Sequence, residues 1–305
     1  MVYDILITNI KGLVQVRDRT HEKVRGQEMS HLPILENAFL LISGGLIHSF
    51  GLMKDLPVEI KAQTILDATG RFVFPSFVDS HTHLVFAAPR EEEFVMKLMG
   101  ASYEDIAASG GGILNSAKKL QSLSEEELFE RSVPRAWEII QSGTGAVEIK
   151  SGYGLTTKDE LKMLRVARRI GKETPLTVKT TFLGAHAVPK EKTKDQYIEE
   201  VIDEMIPAVA AEKLAEYIDV FCETGFFSMD ETEKIVEAGK KYGLIPRIHA
   251  NQLSRSGGVQ VGVKTRAICV DHLENIGEEE IALLSKSETM PVSLPGAAFF
   301  LNLPF

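Results

Sequence analysis

The chain has 305 residues, of which 44% are hydrophobic and 25% charged, the composition of an ordinary globular protein. A formal net charge of −9 supplies no basic stripe to neutralise phosphates, which argues against a nucleic-acid partner. No apolar stretch reaches the ~18 residues that span a bilayer, and "MVYDILITNIKGL" lacks the basic start of a signal peptide, so neither a membrane partner nor export is expected.

In chain order, the first seventy residues read as short strands, "DILITNI", "AFLLISGGLIHSFG" and "TILDATGRFVFP", each aliphatic or β-branched and bounded by Gly, Asn or Pro. The polar run "RDRTHEKVRGQEMSH" between them reads as a solvated loop. His21 and His31 lie in it and His48 lies in a hairpin-like strand, so all three take surface or structural roles. From Pro75 the pattern becomes strand, then helix, repeatedly. The strands are "FVDSHTHLVF", "TGAVEIKSGYG", "LTVKTTFLGAHA", "YIDVFCE", "PRIHAN", "AICVDHLE" and "MPVSLPG". "TKDELKMLRVARRIGKE" and "SMDETEKIVEAGKKYG" read as helices, the second with a Ser cap at Ser228 and acids in its first turn. Strands alternating with helices imply βαβ units and a parallel sheet, and a closed α/β barrel uses about 250 residues as one unit. Such a barrel needs an eighth strand, and the chain ends apolar and uncapped at "GAAFFLNLPF", so it is read as cut short. Cys222 and Cys269 sit in apolar strand-like runs, which fits a reducing cytoplasm.

In "FPSFVDSHTHLVF", residues 74–86, two histidines stand one residue apart where an apolar run ends. Residues at i and i+2 of a strand face the same way, so His81 and His83 present both imidazoles to one side. Two imidazoles make a poor metal site on their own, because zinc-like ions take three or four protein ligands. The remaining histidines answer that need. His186 ends the third strand, His249 the fifth and His272 the sixth, where a barrel gathers its active site. One such histidine would be read as a hydrogen-bonded core residue; five at one face form a constellation.

These residues resemble the amidohydrolase superfamily of metal-dependent hydrolases, and the strings "HTHLVFAAPREEEF", "GGGIL", "KSGYGL", "FLGAHAVP", "CETGFFS" and "LPGAAFFL" are similar to the imidazolonepropionase family of histidine degradation. The resemblance implies a TIM-like (β/α) barrel of the metallo-dependent hydrolase type over residues 71–305, incomplete at seven strands. It also implies a small β-sandwich domain, built from both chain ends, to which residues 1–70 contribute. It implies cytoplasmic hydrolysis of 4-imidazolone-5-propanoate to N-formimino-L-glutamate with one divalent metal ion, zinc or iron, and is compatible with a homodimer. By the same resemblance, His81, His83 and His249 match the metal ligands, and the fourth ligand is an Asp on strand eight that this sequence does not contain. His272 matches the residue that polarises the carbonyl or shuttles protons, Arg90 the clamp on the propionate carboxylate, and Tyr153 and His186 the pocket lining.

At one position the chain departs from the family pattern. Gln252 stands where a Glu is usual, three residues after His249. A Gln orients water or a ring nitrogen but cannot take a proton, so its expected role is substrate orientation at the catalytic centre. "SGGGIL", Ser109 to Leu114, lacks the Gly-Lys-Ser/Thr of a phosphate loop and reads better as a lid. Lys150 on strand two is not at the strand-four position of the carbamylated lysine in two-metal relatives, so it reads as structural or at the pocket edge. Two rivals stay open at this point: another cyclic amidohydrolase or deaminase of the superfamily, and an inactive truncated remnant.

Overall fold

Two kinds of hydrophobic pattern divide the chain, and the structure, a computed structural model, follows them. It describes residues 2–17, 23–101 and 111–303. The chain splits into two units, Met1–Ser76 and Phe77–Phe305, where the sequence reading drew the line at residue 70.

In the first unit β1 (Val2–Val14) is the spine. It pairs antiparallel with β2 (Ile34–Ser43), which pairs antiparallel with β3 (Leu46–Leu52). On its other side it pairs in parallel with β4 (Lys61–Asp67) and β5 (Phe72–Val73). The single strand read from "TILDATGRFVFP" is therefore two, broken at Gly70, whose φ of 75° is a turn conformation that glycine tolerates. Ile10, Leu13, Ala38 and Leu40 bury together in one cluster and Leu6, Phe39 and Leu41 in a second, so successive residues of β2 bury on opposite faces of the sheet. Of the expected polar loop, residues 18–22, with His21, lie outside the described residues; Gly26–Ser30 form one turn of 3-10 helix, and His31 and His48 are exposed.

The second unit holds seven parallel strands in the order β12-β11-β10-β9-β8-β7-β6. These are β6 (Phe77–Thr82), β7 (Thr144–Lys150), β8 (Thr177–Ala185), β9 (Tyr217–Cys222), β10 (Ile245–Ala250), β11 (Cys269–His272) and β12 (Met290–Ser293). The sheet curls as seven strands of an eight-stranded barrel, and β6 and β12 each pair with one strand among the described residues. Helices return the chain between strands. The helix Thr157–Glu173 starts where the Thr156 side chain accepts from the Asp159 N–H, and it buries Leu161, Leu164 and Ile170 at helical spacing. The helix Met229–Lys240 opens with the expected Ser228 cap, closed into a capping box by Glu231.

Side chains alternate along the strands. Val147, Ile149, Ile218, Val220, Ile248 and Val270 join the apolar layers beneath the helices. Their neighbours Glu148, Lys150, Asp219, Arg247 and Asp271 face the concave side and meet one another there. The aliphatic layers usual inside such barrels are here replaced, next to the strand ends, by charge.

Candidate metal and substrate site

The strand ends gather what the sequence reading expected them to gather. His81 lies on β6 and His83 follows it directly, so β6 ends earlier than the expected "FVDSHTHLVF" strand. His249 lies on β10, His272 ends β11, and His186 directly follows β8. The His81 ring centroid is 5.6 Å from that of His83, 4.5 Å from that of His249 and 5.2 Å from that of His272. The ring of His186 stacks on that of His83 at 5.1 Å and lies 5.8 Å from that of His249.

His81, His83 and His249 each offer a nitrogen within 4.8 Å of the other two. The set fits a cation on a second count. His83 Nδ1 and His249 Nε2 are buried without a hydrogen-bond partner, an arrangement that proteins avoid unless a ligand satisfies it. Behind the rings, His81 Nδ1 bonds Asp271 Oδ2 at 2.7 Å and His249 Nδ1 bonds Asp219 Oδ2 at 2.9 Å. A carboxylate behind each imidazole fixes the ring and turns its Nε2 lone pair forward, the usual support of a metal-binding histidine. Burial, reinforced by neighbouring positive charge, holds His81 and His83 well below the ordinary histidine range. His249 is also lowered, because burial outweighs the pull of Asp219. All three are thus neutral and able to ligate at neutral pH.

Beside the histidines sits a polar group, the Tyr153 ring lying 5.3 Å from that of His83 and 5.3 Å from that of His186. Arg90 Nη2 donates to the Tyr153 hydroxyl at 3.1 Å and Arg90 Nε to Ser116 Oγ at 3.1 Å. The guanidinium lies 5.4 Å from the centroid of the Tyr153 ring. His186 Nδ1 sits 3.0 Å from the Gly152 carbonyl, which only accepts, so this nitrogen carries the proton and Nε2 keeps a lone pair. Burial lowers the His186 pKa to about 3. Arg90, Tyr153, His186, Gln252 and His272 line one cavity of about 550 Å³ together with the three metal-competent histidines. Leu294, Ala297 and Phe300 close it from the helix Pro295–Leu301.

Several side chains escaped the sequence reading. Ser116 is one, carried by the helix Ile113–Gln121. Asp219 and Asp271 are others; the strict alternation in "YIDVF" and "CVDH" was their signal. Glu274 is a fourth, with Oε1 3.4 Å from His272 Nδ1. His272 itself has φ of 88°, a left-handed backbone that re-aims its side chain at the end of β11. Lys150 does not stand at the pocket edge. It is fully buried beneath the cavity, outside its lining. Of the expected lid, Ser109 and Gly110 lie outside the described residues, and Ile113, which opens the following helix, borders the cavity.

Comparison with known proteins places these observations. No protein-family model matches the chain. It is 54% identical over 302 residues to a protein of Flavobacterium johnsoniae described as imidazolonepropionase, an alignment covering 98% of this chain and 73% of that one. Its identity to the protein of the same description from Christiangramia forsetii is 53%, over 99% of this chain and 74% of that one. With a protein of that description from Shewanella putrefaciens it shares 44% over 88% of its length and 66% of the relative's. Among solved structures, a triazine hydrolase from Arthrobacter aurescens superposes with a TM-score of 0.71 at 15% identity, over 98% of this chain and 67% of that one. A zinc-bound adenosine deaminase from Xanthomonas campestris superposes with a TM-score of 0.61 at 14% identity, over 99% and 65%. At those identities the structural matches speak for the fold alone. The chain thus spans about three quarters of the length of the Flavobacterium and Christiangramia relatives and about two thirds of those solved chains.

Proposed function

The chain belongs to the imidazolonepropionase family, and from that premise we propose that it opens the ring of 4-imidazolone-5-propanoate by hydrolysis, giving N-formimino-L-glutamate. The ion is one divalent cation, zinc or iron, held by His81, His83 and His249. The observation that carries this reading is the pairing of that histidine triad with Arg90 and Tyr153 across a single cavity. A neutral cyclic substrate would have no use for a guanidinium there, whereas a propionate carboxylate matches its planar fork.

The bound cation supplies Lewis acidity and a water acidified towards neutrality. The rest falls to the chain's own side chains. Arg90, steadied by Ser116 and Tyr153, takes the substrate carboxylate and sets its register. His186, with Nδ1 tied to Gly152, offers Nε2 as acceptor to a ring N–H. His272, whose Nδ1 faces Glu274, keeps its Nε2 lone pair for the cavity, where it takes a proton from the attacking water and delivers it to the nitrogen released when the C–N bond breaks. Gln252 hydrogen-bonds the ring or the attacking water without taking its proton. The two buried free cysteines, Cys222 and Cys269, suit a reducing cytoplasm.

The test is a turnover assay with 4-imidazolone-5-propanoate before chelation, after chelation and after return of Zn²⁺ or Fe²⁺. Turnover that is lost and restored in step with the ion is expected, as is its abolition in His249→Ala. Equal or greater turnover of neutral cyclic amides would favour a different superfamily activity.

A further inference from the structure

Beneath the three histidines lies a cluster of charges that the chemistry above does not use. Glu148, Lys150, Asp219, Arg247 and Asp271 come from four strands, and each is at most 6% exposed. Lys150 Nζ stands 2.9 Å from Asp219 Oδ2, 3.0 Å from Glu148 Oε1 and 3.6 Å from Asp271 Oδ2. Those same two aspartate oxygens hold the back nitrogens of His249 and His81. One ammonium therefore joins, through one carboxylate each, two imidazoles that belong to β10 and β6.

We propose that Lys150 is a shared positioning residue of the metal site, holding Asp219 and Asp271 in place so that His249 and His81 present their Nε2 atoms to one point. The inference rests on the metal site proposed above and goes beyond it. Three carboxylates against two cations leave the cluster with one net negative charge, which suits a dication bound by neutral imidazoles. The same partners disfavour a carbamate on this lysine: a fourth anion would stand among three carboxylates with only Arg247 to offset it. The two histidines do not depend on Lys150 equally. Asp271 has a second cation, Arg247, whose Nη2 lies 3.0 Å from Oδ2 and also donates to the Ser80 carbonyl. Lys150 is the one cationic side chain within ion-pair distance of Asp219 among the described residues, the other partner being the neutral ring of His249. The His249 arm is therefore the one that loosens when Lys150 is lost.

The experiment measures the Zn²⁺ dissociation constant of the full chain by chelator competition, and the d–d absorption of its Co²⁺ form, in wild type and in Lys150→Met. A 10- to 100-fold weaker constant and a shifted Co²⁺ band are expected, the loss usual when the support behind a metal ligand is removed. A purely structural lysine would lower the unfolding temperature of the chelated protein and leave the constant of the folded variant unchanged. That result would overturn the inference while the metal site stands. A wild type that binds no divalent ion would overturn both. Should Lys150→Met fail to fold, Asp219→Asn and Asp271→Asn, singly and together, decide the matter. Sharing one lysine makes the double loss exceed the product of the single losses by more than about threefold, whereas simple multiplication of the two overturns the proposal.

Discussion

Arg90 enters the cavity from the residue before the helix Glu91–Leu98, and three groups hold it: Ser116, Tyr153 and, at 3.8 Å, Glu93. On the proposed function, Arg90→Ala would remove a charge-assisted bond to substrate, a loss of about 2–3 kcal/mol, so KM should rise roughly 30- to 150-fold with a smaller change in kcat. Arg90→Lys keeps the charge without the fork and should fall between the two; steady-state kinetics that match wild type would remove Arg90 from the site. The buried imidazoles make a second prediction. His186 titrates at about 3 in the fold against 6.5 ordinarily. As pH falls below 6.5 the unfolded chain gains a proton there that the folded chain refuses, so stability drops progressively towards pH 3 and is unaffected above 6.5. At pH 5 the loss from His186 alone is about 2 kcal/mol. Urea unfolding of chelated protein at pH 7 and pH 5 measures it, and a flat profile would count against the neutral cluster. At this scale the sequence was readable where chemistry is rare: five histidines at strand ends announce themselves. Asp219 and Asp271 did not, because one charged residue in an apolar strand reads as outward-facing until the partners on neighbouring strands are known. Lys150 stands out in the sequence, as structural or at the pocket edge, but its carboxylate partners do not.

The segment between β7 and the helix Thr157–Glu173 shows how an element aims a side chain. Glu160 is fully buried and accepts from the backbone N–H groups of Gly152, Gly154 and Leu155 at 2.8, 2.7 and 2.9 Å. Gly152 has φ of 107°, and a Cβ there would come within 2.8 Å of His186 Nδ1, so both the bend and the approach of His186 require glycine. The anchored loop carries Tyr153 and the carbonyl that orients His186. Glu160→Gln exchanges one acceptor oxygen for a donor facing N–H groups and should cost about 1–3 kcal/mol of stability in chemical denaturation. The same change should raise KM, because the clamp and the ring acceptor loosen together; a stability loss with unchanged KM would separate the loop from substrate binding. The elements themselves were legible because their apolar periods are clean and their helices are capped. Element ends were less so: β6 stops at Thr82, short of the apolar run, since the chain turns inward there to place His83. The glycines before Ile113 resembled a loop and include the start of a regular helix, since Gly112 at φ of 78° serves as the helix's cap position.

At the scale of the whole second unit, the seven-stranded order leaves β6 and β12 each with one paired side among the described residues. Unpaired strand edges invite association with other chains, and closure removes them. A chain extended with a strand that pairs β12 on one side and β6 on the other should therefore resist aggregation and unfold at higher denaturant, as light scattering and urea titration would record; no gain in either would mean the edges are already protected. The barrel class was readable from the alternation of strands and helices, whereas the charged layer inside it depends on pairings between strands up to 190 residues apart, His81 to Asp271. The placement of the triad has one more consequence. His81 lies on an edge strand with His83 directly after it, and His249 lies on an interior strand, so a single ion would act as a clasp between them. At a free concentration one hundred times its dissociation constant, an ion bound only by the folded form adds about 2.7 kcal/mol to stability. The supply of metal to the cell would then govern the lifetime of the protein as well as its activity. Chains starved of the ion would lose that added stability and meet proteases more often in the unfolded form, so the amount of this protein should follow metal availability even where its synthesis does not change.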